Sequence, residues 1–363
     1  MNSEAPLLSE DDYSINSSVS EVMIDLSGRD MTSFPEGFMD LDDIEETSEL
    51  DISHNRFSEC PNDLFKLTNL VSLDFSYNDL LSLPNKIAAL QQLKRLDLRH
   101  NQLKTLPDGF EKLRNLEVLI LSGNQFQQMP QVIFRLPRLK ELQMGGNHLT
   151  EIPSEICQLV NLEILYLGDN QLISLPESMG TLPKLTALAL AVNRLETLPV
   201  SFERLHSLRT LTLHNNKIKA LPTGITRLQN LEQLNIRSNP LITDFVNNMT
   251  FEPASLTELA ARIVKLKMIR HIMVLPPHLR HYLSTANQCV NPKCKGVYFE
   301  AKQEHIKFVD FCGKYRVPLM QYLCSSTCSS NSPAYALSSS GESEDEAELP
   351  STSQQKMRKV LLG

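Results

Sequence analysis

The most concentrated chemistry in this sequence is carried by thiols. Five of the seven cysteines fall between Cys289 and Cys328. They form two close pairs, Cys289/Cys294 in CVNPKC and Cys324/Cys328 in CSSTC, with His305 and Cys312 between them. Two such pairs, separated by strand-like stretches (KGVYFEA and IKFVDF), suit one tetrahedral ion. Four thiolates select Zn2+, and a closed four-ligand site is structural because no position stays open for a reacting molecule. The expected ligands are Cys289, Cys294, Cys324 and Cys328, with Cys312 or His305 able to replace one of them. The intervals of four and three residues differ from C-x-x-C, so reduced buried thiols and a redox pair stand as other readings. A region this small and rich in Gly, Pro and charge needs a staple to fold, which favours the metal. Cys60 and Cys157 are isolated and read as ordinary.

Elsewhere the chain offers no reactive constellation. It shows no phosphate-cradling glycine loop, no Ser/His/Asp set and no paired carboxylates in a supporting context. Catalysis by the chain itself is therefore not expected.

The segment before the cysteines, residues 251–284, reads as two helices. Ser255 is a good N-cap with Glu258 at the capping-box position. Leu256, Leu259, Ala260, Ile263 and Val264 recur at helical spacing, with Arg262, Lys265 and Lys267 mostly off that stripe. The pair Pro276-Pro277 precedes a second, short helix ending in His281-Tyr282-Leu283. These residues resemble a suppressor-of-cytokine-signalling (SOCS) box. The elongin-binding half of that family runs small hydroxyl, Leu, Cys or a small residue, then aliphatic; here it is Ser255, Leu256, Ala260 and Val264. The cullin-selecting half, L-P-P-x-L-x-x-Y-L, is matched by Leu275, Pro276, Pro277, Leu279, Tyr282 and Leu283. The resemblance implies docking of elongin B/elongin C and of cullin-5 or cullin-2 through these residues together with Leu259 and Ile263. Ala260 stands where Cys is commoner, Met273 and Val274 stand where a fuller motif has Leu-Pro, and the spacer between the halves is short. The competing reading makes the helix a cap for the domain before it.

That domain declares itself by repetition. Nine asparagines, from Asn55 to Asn239, stand 23 residues apart, and eight prolines from Pro61 to Pro222 keep the same step. The stretch from Leu70 to Gln92 fits L-x-x-L-x-L-x-x-N-x-L-x-x-L-P. Leu73 and Phe75, two apart, face one side of a short strand, while Ser72, Asp74 and Ser76 face the other. Stacked parallel strands then merge the inward leucines into one core that no single repeat could bury alone. The asparagine amide can satisfy turn backbone between neighbours, and the proline leads into a segment on the far side such as 85–90. An earlier copy near Val22 to Leu41 carries Arg29 in place of Asn and reads as the capping repeat, giving ten repeats between about 22 and 245. This pattern resembles the intracellular leucine-rich-repeat class. The fold class it implies is α/β: a horseshoe solenoid with parallel strands on its concave face, followed here by a helical box and a small zinc-ribbon-like module.

The repeat register also assigns an exposed strand face. Four residues before successive asparagines stand Asp51, Asp74, Asp97, Ile120, Gln143, Tyr166, Ala189, Thr212 and Asn235, with Asp25 in the first repeat. The early repeats read as an acidic track beside Arg95, Arg99 and His100, and the middle ones as apolar. The expected target surface comprises Asp74, Asp97, Arg99, Val118, Ile120, Ile164, Tyr166, Ala189, Val192 and His214.

A net charge of −8 argues against nucleic acid as the main partner. No apolar run approaches the roughly 20 residues that span a bilayer, and Met1 to Ser20 lacks the pattern of a secretory signal. The expected location is the cytoplasm, with the nucleus also open. The expected organisation is a disordered segment 1–20, the solenoid 21–245, the SOCS-like box 251–284, the zinc module 285–330 and a disordered tail 331–363 rich in Ser and acid. Ser340 and Ser343 in that tail precede acidic residues, and the basic, apolar end from Lys356 to Gly363 reads as a docking peptide. The functional expectation is the substrate receptor of a cullin–RING ubiquitin ligase, holding a target on the repeats and the ligase on the box. The alternatives are a signalling scaffold (a small-GTPase or phosphatase adaptor) and a metal or redox sensor.

Overall fold

Alternation of leucine with polar residues draws the repeats into very short strands. The computed structural model describes residues 13–16, 21–35, 38, 46–242, 254–267, 275–291, 294, 296–311, 315–325, 328 and 359–361. They divide into two compact units, one comprising 1–218, 224–240 and 355–363, the other 219–223 and 241–354.

In the first unit, β1 is Tyr13–Asn16, β2 Glu21–Asp25, β3 Thr47–Asp51, β4 Ser72–Asp74 and β5 Arg95–Asp97. They continue as β6 Val118–Ile120, β7 Glu141–Gln143, β8 Ile164–Tyr166, β9 Ala187–Ala189 and β10 Thr210–Thr212. The two-residue strand β11, Leu221–Pro222, falls in the second unit, and β12, Gln233–Asn235, returns to the first. Strands β2 to β10 and β12 stack in parallel without a crossover, one per repeat, so the structure contains the ten repeats that the spacing predicts. Leu73 sits opposite Leu50 and Leu96, and both it and its neighbours in this column are essentially buried. On the other side each ladder proline leads into a single five-residue 3-10 turn, such as Asn85–Ala89 after Pro84, whose Ile87 closes the core. The repeat is too short there for an α-helix.

The ladder asparagines hold one repeat to the next. Asn147 Nδ2 donates to the carbonyls of Leu121 in the repeat before and of Met144 and Gly145 in its own. Its Oδ1 accepts the N–H of Phe126, 3.1 Å away. Only an amide brings donors and an acceptor together at that length, which is why Asp or Ser does not replace it. In the first repeat, where Arg29 stands in the place of Asn, Asn55 Oδ1 accepts the N–H groups of Arg29 and Met31 and closes the turn from the far side.

Two terminal segments differ from the disorder expected of them. Tyr13–Asn16 pairs antiparallel with β2. A last strand, β17 (Lys359–Leu361), pairs in parallel with β12, with Val360 in register with Leu234. The first and last repeat strands, β2 and β12, thereby each gain a partner, and β1 and β17 become the edge strands of the sheet. The remainder of 1–20 and of the tail, Ser340 and Ser343 included, lies outside the described residues, as do Cys312, Met273 and Val274.

The second unit holds α1 (Leu256–Leu266), α2 (Pro277–Ser284), the short strands β13 (Asn287–Gln288) and β14 (Val297–Tyr298), and a long hairpin of β15 (Gln303–Phe311) and β16 (Tyr315–Leu323). β13 pairs with β14, and β16 lies between β11 and β15. KGVYFEA contains β14 and IKFVDF lies within β15, whereas β16, which runs through Pro318, was not anticipated. Pro318 stands opposite Phe308 of β15, while on its other side β11 pairs only with Leu319 and Met320.

Candidate functional site

The thiol cluster is built at the end of the hairpin. Cys324 directly follows β16, Cys328 follows within a turn, and Cys289 and Cys294 flank the loop between β13 and β14. The four sulfurs lie within 4.8 Å of one another, with Cys324 Sγ 3.4 Å from Cys294 Sγ and 3.5 Å from Cys328 Sγ. Zn2+ bound to four thiolates at ~2.3 Å requires sulfurs about 3.8 Å apart, so the spacing fits. The surroundings fit as well. The amide of Gly296 points at Cys294 Sγ and that of Cys324 at Cys289 Sγ, the donors that stabilise thiolates. A Cβ at Gly296 would stand 2.6 Å from Cys324 Sγ and 2.9 Å from Cys294 Sγ, so only glycine leaves room for the sulfurs. Burial raises the Cys324 and Cys328 thiols above the ordinary range. Burial also acts against Cys294, but hydrogen bonds from Cys328, the Gly296 amide and the other thiols outweigh it and lower that group. His305 sits in β15, opposite Gln321 and outside the cluster. The four cysteines expected as ligands are the four brought together. By contrast, burial pushes the lone Cys60 thiol up to about 12, consistent with an inert side chain.

Helix α1 lies against the same module. Ser255 caps it, its Oγ accepting the Glu258 N–H at 3.1 Å. Glu258 does not complete the expected capping box. Its carboxylate is buried and accepts instead the N–H groups of Phe299, Glu300 and Ala301, with the Arg262 guanidinium donating to it as well. Burial opposes this charge, yet those amides and Arg262 together hold the carboxyl below its usual range. From the sequence Arg262 is one of the basic residues mostly off the stripe, and its i,i+4 spacing from Glu258 is the local signal of the pair.

The apolar stripe faces outward. Leu256 is 86% exposed, Leu259 45% and Ile263 52%, and Ala260 is exposed beside them. The module's core takes the opposite face through Ala261, together with Leu283 and Phe299. Several residues assigned to elongin or cullin contact are therefore internal. Leu283 is buried, Tyr282 stacks on Phe299 at 4.8 Å, and Val264 and Leu275 pack against the same cluster. Leu279 is partly buried, while Pro276 and Pro277 are exposed. The two halves of the motif thus split into an accessible set (Leu256, Leu259, Ala260, Ile263, Pro276, Pro277) and a set that builds the module.

On the strand face of the repeats, Tyr166 and Val192 are exposed, and Val118, Ile164, Ala189, His214 and Asp74 are partly so. Two expected contacts are withdrawn: Ile120 is 3% exposed and Asp97 fully buried. Asp97 lies between Arg95 and Arg99, at 3.7 and 3.1 Å, and accepts the Arg99 N–H. Burial raises its carboxyl, with these partners pulling the other way. Arg99 therefore serves Asp97 before it serves any partner. A feature missed in the sequence lies one residue before the asparagines. His54, Tyr77 and His100 all adopt left-handed backbone and stack ring on ring, with centroids 4.3 and 4.4 Å apart. The row ends at Gly123, where a Cβ would come within 2.6 Å of the His100 imidazole. Their 23-residue spacing was readable, although left-handed geometry at that position was not.

A family model described as Leucine rich repeat matches residues 45–103, 80–126, 114–172 and 161–218, and a second, Leucine Rich repeats (2 copies), matches 206–248. Together they cover more than half of the 363 residues. The chain belongs to the leucine-rich-repeat family. It is 49% identical over 125 residues to Leucine-rich repeat-containing protein 58 of Xenopus laevis, covering 34% of this chain and 35% of that protein. The protein of the same name from Mus musculus is 54% identical over 87 residues, 24% of each chain. The alignments thus span about a third or less of these curated relatives. Among solved structures, a leucine-rich-repeat protein of Leptospira interrogans superposes with a TM-score of 0.56 at 30% identity, covering 61% of this chain and 62% of that one. As a leucine-rich-repeat protein the chain has the architecture of a protein-interaction scaffold. Among the described residues no helix is long and apolar enough to cross a membrane.

Proposed function

We propose that this chain is the substrate-recognition subunit of a cullin–RING ubiquitin ligase, working in the cytoplasm. It binds a target protein on the repeats and elongin B/elongin C with cullin-5 or cullin-2 through the helical box. The observation that carries this reading is the uncovered stripe of α1. A helix that merely closed a core would bury Leu256, Leu259 and Ile263, and here they are exposed while the opposite face does the packing. Amphipathic helices that keep such an i, i+3, i+4, i+7 row free are suited to lie in a partner's groove. Pro276 and Pro277, also exposed, offer the adjoining cullin contact. The four-cysteine site takes structural Zn2+, which contributes folding energy and leaves no open position for catalysis. In the assembled ligase the chain acts by holding the target close to the ubiquitin carrier, raising effective concentration without supplying acid, base or nucleophile.

The reading is tested with purified components. Full-length chain should retain elongin B/elongin C on size-exclusion chromatography, and the pair Leu256→Asp/Ile263→Asp should lose it with unchanged thermal unfolding. Failure of the unaltered chain to bind either elongin B/elongin C or a cullin would leave a scaffold without ligase function.

A further inference from the structure

The docking helix and the thiol cluster are joined by one side chain. Arg262, on α1, donates through Nη1 to the carbonyl of Cys324 at 2.7 Å, and through Nη2 to the carbonyl of Ala301. From its other side it grips Glu258, whose oxygens hold the amides of Phe299 and Ala301 at 3.1 and 2.8 Å. The apolar part of this attachment is Ala261, the only buried hydrophobic residue among those described in α1, with the partly buried Val264 beside it. The polar part is a buried ion pair, and removing or displacing one partner of such a pair is strongly destabilising. One of its anchors is the carbonyl of a residue whose sulfur belongs to the cluster.

We propose that Arg262 makes the placement of α1 conditional on metal at Cys289, Cys294, Cys324 and Cys328. With the thiolates engaged, the backbone at Cys324 is fixed and presents its carbonyl to Arg262. Glu258 then closes on the 299–301 amides, and α1 holds its stripe in one orientation. Without the metal the four thiols have no common centre and the 324–328 turn loosens. Arg262 loses its carbonyl, and the buried Glu258 charge loses part of its compensation. Zinc thus acts as an assembly switch for the docking surface, and Glu258 and Arg262 are its positioning residues. Only the identity of the docked partner rests on the ligase reading; the coupling concerns this chain alone.

Hydrogen exchange read by mass spectrometry on the full chain tests the coupling. Zinc stoichiometry is followed by native mass spectrometry, and elongin B/elongin C binding is measured separately. Removing Zn2+ with a chelator under reducing conditions should speed amide exchange across 256–267 by about tenfold or more, while β4 to β10 keep their protection. Readdition of Zn2+ should restore it. Arg262→Ala should keep one zinc per chain and protected repeats yet show the same fast exchange in α1, which separates loss of the strut from loss of the module. A chain that holds no zinc, an α1 indifferent to its removal, or a protected α1 in Arg262→Ala each overturns the proposal. If the exchange results hold but the zinc-loaded chain does not bind elongin B/elongin C, the ligase reading fails and the metal-dependent helix stands.

Discussion

Asn147 shares its two Nδ2 protons among three carbonyls and accepts one amide at Oδ1, so truncation strands buried backbone groups on two repeats at once. Asn147→Ala should cost about 2–3 kcal/mol, read as a lowered urea midpoint of the repeat unit. Val192 presents the opposite case. It is a β-branched residue in left-handed backbone, φ 55°, at a position that holds Gly123, Gly146, Asp169 and Asn215 in some repeats and His, Tyr or Ser in others, none of them β-branched. Such geometry strains Val, and because the side chain is exposed no packing explains its retention. Val192→Asn should stabilise the repeats by about 1 kcal/mol in the same titration and weaken target binding. Glu258 supplies a pH dependence. Its folded pKa is lowered, so the unfolded chain binds more protons between the two values, and the stabilisation is present above the unfolded value of about 4.3. As pH falls through the lower, folded value that contribution is lost. The thermal midpoint of the second unit should therefore drop on acidification below that range, and Glu258→Gln should flatten the drop. These roles were unevenly legible: the asparagine ladder was plain from spacing, whereas nothing local marks Glu258 as a buried acceptor of amides some forty residues away.

At the scale of elements, period two gave the strands and the 23-residue step gave their stacking, because the same local pattern recurs with no competing partner. Helix α1 was equally legible as a helix, and its apolar row as a stripe. Which face it buries was not. Periodicity identifies an amphipathic helix but assumes that the apolar side is the packed one, and here Ala261 and a paired Glu258 and Arg262 face the module instead. Substituting the free row with Leu256→Asp/Ile263→Asp should shift stability by no more than about 0.5 kcal/mol, as for other exposed positions. Ala261→Glu, on the buried side, should unfold the second unit, as judged by loss of its exchange protection. The thiol cluster was legible as two cysteine pairs, but the place of Gly296 was not. Gly296→Ala should lower zinc retention in a chelator competition because its methyl must displace Cys324 Sγ or Cys294 Sγ.

Across the whole molecule, strands from outside the repeats, β1 and β17, extend the repeat sheet at its two ends. Val360 stands in register with Leu234 at the end of the leucine column, so the C-terminal strand takes the place of one further repeat. Removal of residues 356–363 should expose the β12 edge, speed amide exchange at 233–235 and lower the unfolding temperature of the repeats, with an added peptide of that sequence restoring protection. An unchanged exchange rate at β12 would show the edge to be protected without it. The sequence by itself determined what depends on repetition and on residue type: ten repeats, an inward leucine column, the asparagine that ties them and four thiols suited to one ion. These follow from short-range periodicity, which every copy reinforces. Only the tertiary structure decided which apolar residues stay uncovered, that Asp97 and Ile120 are withdrawn, that both end repeats gain a strand partner, and that an arginine on α1 reaches the backbone of a thiol residue 62 positions away. Those outcomes depend on which distant groups compete for the same buried space and the same hydrogen bonds, and no local pattern records that competition.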